Sequence, residues 1–127
     1  MIDKYAKEME IDTELSLLNL RDRQLSQPNI RHKWLYRLMQ HKRKKAQLNF
    51  ELSQIIDNRS QEEIKLSRLS MPKLKAKIDK ESDVISIKRQ IQEENEVIDY
   101  LDSVQSILSS MSFDMKNLVE LLKLESL

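Results

Sequence analysis

Glycine and cysteine are both absent from the 127 residues, and proline occurs only twice. The missing glycine excludes phosphate cradles such as a P-loop or a dinucleotide fingerprint. Their backbone needs positive φ or a close approach to the ligand, which glycine alone adopts cheaply. The missing cysteine excludes a disulfide framework, a thiolate metal site and a cysteine nucleophile, and is compatible with a reducing compartment. Aromatics make up 5% of the chain and hydrophobic residues 39%. A core built by one copy would be thin, so assembly is an open option from the outset. No apolar run approaches the ~20 residues of a membrane span. The start, "MIDKYAKEMEID", carries no apolar run and is expected not to be a secretory signal.

Charge is what the chain has instead. Charged residues make up 34%, and a net charge of +1 hides strong segregation. Residues 1–22 hold six acids against three bases, residues 23–50 hold eight bases and no acid, and residues 51–127 hold fifteen acids against eleven bases. Such segregation predicts a local positive field on a nearly neutral molecule. With no glycine and two prolines, long helices are expected.

Along the chain, "IDTELSLLNLRDRQLSQPN" reads as a short helix started by Asp12 or Thr13, carrying Leu15, Leu18 and Leu25, and ended by Pro28. Asn29 then caps a second helix from Ile30 to about Ile56. Its apolar faces are Trp34, Leu35, Leu38 and Met39, then Leu48, Leu52, Ile55 and Ile56, with a polar collar from His41 to Lys45 between them. "DNRS" at 57–60 reads as a turn or helix end, and "QEEIKLSRL" as a further helical stretch. In "SMPKLKAKID", Lys73, Lys75 and Lys77 alternate with Leu74, Ala76 and Ile78, which predicts an extended segment near residues 72–78. A long helix is expected from Asp79 or Ser82, with Ser109, Ser110 and Ser112 as a candidate interruption. Val97, Leu101, Val104, Leu108, Met111, Met115, Leu118 and Leu122 follow a 4-3 spacing in it. An apolar seam of that length indicates helix–helix packing, within or between chains. The expected organisation is a single helical domain over 1–127: an acidic arm at 1–28, a basic helix at 29–59, a linker with the extended segment at 60–80, and heptad helices at 81–127.

No catalytic constellation stands out. His32 and His41 are nine residues apart, face different ways on a helix and have no carboxylate at helical spacing. No metal and no cofactor is therefore expected, and the serines lack a histidine–acid partnership. Paired acids such as Glu93 and Glu94 read as a solvated face.

The informative stretch is "RHKWLYRLMQHKRKKAQLNF" at 31–50, with seven cations and no acid. It reads as a solvated face, a nucleic-acid grip, a membrane-surface helix, or a dock for an acidic partner. Clustered cations neutralise phosphates and release counterions, and aromatic rings beside them stack on bases of single strands. Tyr36 is the better stacking candidate, because a lone Trp34 near a helix start is more often a core anchor. The polar collar at 41–45 spoils the clean apolar face a membrane helix needs, so no membrane partner is expected.

The order of these segments resembles the UvsY-like recombination mediator family of T-even-type bacteriophages. "KWLYRLMQHKRKK" after "LSQPNIRH" is similar to the start of that family's basic helix. "DKESDVISIKRQIQEENEVIDYLDSVQSIL" resembles its acid-flanked long helix. "MSFDMKNLVELLKLE" resembles its closing segment, with Phe113, Met115, Lys116, Asn117, Glu120 and Lys123 on the pattern. The chain departs from the family at "IIDNRSQEE", where a tyrosine pair with a glycine is usual, and at Ser110 and Ser112 around the C-terminal aromatic. It keeps Arg59 at the end of the basic helix, with Asp57 nearby.

The resemblance implies an all-α protein that assembles as a ring-shaped homo-oligomer, a hexamer or heptamer. It implies non-specific binding of single-stranded DNA and loading of the phage recombinase onto strands coated by the phage single-strand-binding protein, in the cytoplasm of the infected bacterial host, without catalysis. The expected DNA-binding residues are Lys33, Trp34, Tyr36, Arg37, Lys42, Arg43, Lys44, Lys45 and Arg59. The expected oligomerisation residues are the eight of the seam. Lys73, Lys75 and Lys77 are candidates for a second basic row or for pairing with acids of a neighbouring subunit. The competing reading is a structural coiled-coil adaptor without nucleic-acid binding.

Overall fold

A computed structural model describes residues 1–66 and 70–126. Their elements are helices α1 (Ile2–Asp12), α2 (Leu20–Leu66), α3 (Met71–Asp79) and α4 (Ser82–Glu125), with no strand among them. The chain divides into two compact units. The first comprises Met1–Gln40 and Val97–Leu127, the second His41–Glu96.

In the first unit α1 ends where the Thr13 hydroxyl donates to the Met9 carbonyl at 2.6 Å. Just before α2, the Ser16 N–H donates to Asn19 Oδ1 at 2.7 Å and the Asn19 N–H to Ser16 Oγ at 3.4 Å. This reciprocal pair satisfies backbone donors that a helix start leaves open. Arg23 ties the break together, donating to the carbonyls of Ile11 at 2.6 Å and Glu14 at 3.0 Å. The core holds Tyr5 and Met9 from α1, Ile30, Trp34 and Leu38 from α2, and Val97, Ile98, Leu101, Val104 and Leu108 from α4. A smaller cluster joins Leu20 to Met111 and Met115. The 4-3 spacing of the α4 residues keeps one face on its neighbours, as helix–helix packing requires.

In the second unit Leu74, Ile78 and Val84 form the core, with Leu52, Ile55 and Ile56 half-buried against them. Here α3 starts after Ser70 with Pro72 in its first turn. A proline is tolerated there because its missing N–H would be unpaired anyway.

Four expectations about the elements are corrected. First, the short helix ending at Pro28 does not form. Pro28 lies inside α2, while Asp12 closes α1; Leu18 and Leu25 are exposed. The helix continues through the proline because buried positions at Leu20, Gln27, Ile30, Trp34 and Leu38 lie on both sides of it. Second, 57–60 is neither a turn nor a helix end, since α2 runs on to Leu66; the last residues of "QEEIKLSRL", 67–69, lie outside the described residues. Third, the segment at 72–78 is helical, not extended. Leu74 and Ile78 are an i, i+4 pair, both 2% exposed, so their burial needs only one helix face. The alternation of lysines is too short to override that pair and the proline start. The expected interruption at Ser109–Ser112 is also absent, as α4 is continuous to Glu125.

Candidate nucleic-acid interface

The cations of the 31–50 stretch divide by what they touch. In the first unit, Arg37 holds Glu8 through both guanidinium nitrogens, at 2.7 and 3.3 Å. Lys33 reaches Asp12 at 2.6 Å and Glu8 at 3.7 Å. The Arg37 hydrogen bond, helped by the charges of Arg37, Lys33 and Lys4, holds the Glu8 carboxyl below the usual carboxylate range against the opposing effect of burial. Trp34 is 0% exposed. Its indole N–H donates to Asp12 Oδ2 at 2.8 Å, and Tyr5 meets it edge to face at 5.5 Å between centroids. Arg37 lies 4.7 Å from the Trp34 ring and 5.0 Å from the Tyr5 ring. The acidic arm therefore folds onto the first basic turns of α2 and neutralises them. Trp34 is a core anchor and is closed to a base. Tyr36 is 53% exposed, with His32 stacked beside it at 6.4 Å.

In the second unit His41 is buried, and its Nδ1 meets Glu94 Oε2 at 2.5 Å. Lys44 reaches the other oxygen of Glu94 at 3.1 Å, with its side chain 60% exposed. Burial raises the Glu94 pKa, but hydrogen bonds from His41 and Lys44 and their charges outweigh it, leaving the carboxyl below the ordinary range. Arg59 pairs with Glu81 and Asp83, both at 3.2 Å. Lys77 pairs with Glu63 at 2.8 Å, while Lys73 and Lys75 are exposed. On a helix these three lysines do not share one face.

Lys42, Arg43 and Lys45 remain, together with Arg31 of the first unit, which donates to Ser109 Oγ at 3.3 Å. Among the described residues no acid pairs with any of them. Lys42 and Arg43 are exposed and Lys45 is half-buried. Lys42 and Lys45 are an i, i+3 pair and lie together, with Arg43 displaced around the helix.

Sequence reasoning missed the pairing of Glu8 and Asp12 with Lys33 and Arg37, and of His41 with Glu94. The signal for the first was the charge segregation itself: an acidic arm immediately precedes an acid-free helix. The second joins residues 53 apart in sequence, and nothing local marks it. Of the seam, Val97, Leu101, Val104, Leu108, Met111 and Met115 are buried within the first unit, Leu118 is half-buried and Leu122 is 39% exposed.

Long helices packed on an apolar core, with most of the charge on their outer faces, define an all-α scaffold. A family model described as recombination, repair and ssDNA binding protein UvsY matches residues 4–126, and the chain belongs to that family. Crystal structures of the bacteriophage T4 recombination mediator protein UvsY share its fold. Lattice type IV gives a TM-score of 0.86 at 14% identity, covering 98% of this chain and 98% of that one. Lattice type II gives 0.83 at 12%, covering 99% and 98%. Lattice type I gives 0.82 at 14%, covering 94% and 97%. No sequence among the curated proteins matches. Among the described residues no helix is long and apolar enough to cross a membrane.

Proposed function

We propose that this protein is a recombination mediator. It binds single-stranded DNA without sequence preference as a homo-oligomeric ring, and promotes loading of a phage recombinase onto DNA coated by single-strand-binding protein, inside the infected cell. It works by binding and catalyses no reaction. The observation that carries the reading is the cluster Lys42, Arg43 and Lys45, which have no acidic partner among the described residues and lie in an acid-free stretch. Unpaired cations gain from displacing counterions off a phosphate chain, whereas Lys33, Arg37 and Arg59 would first have to give up a carboxylate. Lys44 reaches solvent while sharing Glu94 and joins the contact set. Tyr36 supplies an exposed ring for stacking. A ring of subunits places many such modest patches on one strand at high effective concentration.

The test is oligothymidylate binding followed by anisotropy over a salt series. Log affinity should fall linearly with log salt. Lys42→Ala, Arg43→Ala and Lys45→Ala together should flatten the slope by about 2 per subunit engaged, at about 0.7 per phosphate lost. Circular dichroism should be unchanged, since none of the three belongs to a core cluster. An unaltered slope in the triple variant removes these residues from the interface.

A further inference from the structure

In the first unit a cavity of about 560 Å³ opens between α2 and α4, lined by Gln24, Gln27, Pro28 and Arg31 on one side and Ser112, Met115, Lys116 and Val119 on the other. This is within the size range of ligand sites. Gln27, 7% exposed, joins the two helices through its Nε2, which donates to the Leu108 carbonyl at 3.4 Å; its Oε1 is closed to solvent. Two features give the cavity a chemistry. Pro28 has no N–H, so the backbone carbonyl of Gln24 lacks its usual helical donor. Finally, the charged lining is cationic only, from Arg31 and Lys116, and both are exposed.

The cavity thus offers one backbone acceptor without its helical donor, two cations that pair with no carboxylate among the described residues, and aliphatic walls from Pro28, Met115 and Val119. We propose that it is a docking site for an acidic peptide segment of a partner protein, seating one aliphatic side chain between flanking carboxylates. An extended peptide supplies a main-chain N–H for the Gln24 carbonyl. Its carboxylates meet Arg31 and Lys116. A nucleotide fits the lining less well, because no aromatic ring lines the cavity for a base to stack on. The site goes beyond DNA binding, and its residues are separate from Lys42, Arg43 and Lys45.

The probe is a short fluorescein-labelled peptide alternating aspartate with leucine, titrated with the full-length protein and followed by anisotropy. A peptide alternating lysine with leucine is the charge control. The aspartate peptide should bind, and Arg31→Glu with Lys116→Glu should weaken it about tenfold or more, as loss of close charge pairs does. Arg31→Lys with Lys116→Arg should retain binding, because the charges are kept. Replacing Lys42, Arg43 and Lys45 with alanine should leave the peptide affinity unchanged while oligothymidylate binding falls. Three results overturn the proposal: no binding of the aspartate peptide, equal binding by the charge-reversed variant, or displacement of the peptide by oligothymidylate with both losing affinity in that variant. The last result would assign the cavity to nucleic acid.

Discussion

Trp34 joins three kinds of contact at one residue: a buried indole, an N–H bond to Asp12, and two cations, Arg37 and Lys33, near its ring. Because α1 supplies Tyr5, Glu8 and Asp12 to this cluster, the acidic arm is held by packing and charge together. Trp34→Ala removes the largest fully buried side chain and should cost about 3–5 kcal/mol in a urea titration. As the only tryptophan, Trp34 also reports on the binding mode. Oligothymidylate should leave its emission unquenched, and strong quenching on binding would show that a base reaches the ring after all. Glu8 carries a pH dependence. Its folded pKa lies below the unfolded one, chiefly through the Arg37 hydrogen bond. The stability it contributes is therefore complete above the unfolded carboxylate pKa and is lost as pH falls through the folded value. Glu8→Gln should flatten that part of the acid limb in thermal melts across a pH series. An acid limb of unchanged slope would mean that the pair contributes nothing to folding.

At the scale of elements, the proline inside α2 sets a measurable balance. Pro28 removes one backbone hydrogen bond from the helix and costs up to about 3 kcal/mol relative to alanine, offset in part because it also stiffens the unfolded chain by about 0.4–1 kcal/mol. Pro28→Ala should therefore raise the melting temperature, and a fall would show that the ring's contacts in the cavity matter more than the missing bond. The same residue explains what could be read in advance. The all-α class, a long helix starting at Asp79 or Ser82 (α4 starts at Ser82) and the packed face of Val97, Leu101, Val104 and Leu108 were legible, because they follow from the absence of glycine and a sustained 4-3 period. The boundary at Pro28 was not, because local propensity lost to burial on either side of it. The helix α3 was not, because Lys73, Lys75 and Lys77 imitate a strand over too few residues to compete with Leu74 and Ile78. At the candidate site the clustering of cations was legible. Their division into paired and unpaired was not, because Glu8, Asp12 and Glu94 come from distant parts of the chain and meet the basic helix only through folding.

For the whole molecule, the question is which part of the α4 seam remains for another subunit. Leu108 is 0% exposed and sits in the core of the first unit. Leu122 is 39% exposed, with Leu121 at 55% and Leu124 at 66% nearby on the last turns of α4. A short run of exposed leucines at a helix end is apolar area that assembly would cover. The ring we propose is therefore closed through the end of the seam at Leu118 and Leu122, while the positions from Val97 to Met115 hold the subunit itself. The two ends call for opposite outcomes from one chemical change. Leu108→Asp places an uncompensated carboxylate in a packed core, where its cost is several kcal/mol or its protonation. It should lose helix signal and unfold the first unit. Leu122→Asp sets the same charge where water already reaches. It should keep its circular dichroism and thermal melt, and sediment as a smaller species. That species should bind oligothymidylate more weakly, because single patches no longer act together on one strand. If Leu122→Asp sediments as the wild-type protein does, the closing surface lies elsewhere on the chain. If Leu108→Asp stays folded and merely dissociates, the core packing of the first unit is tolerant and the seam joins subunits along its whole length.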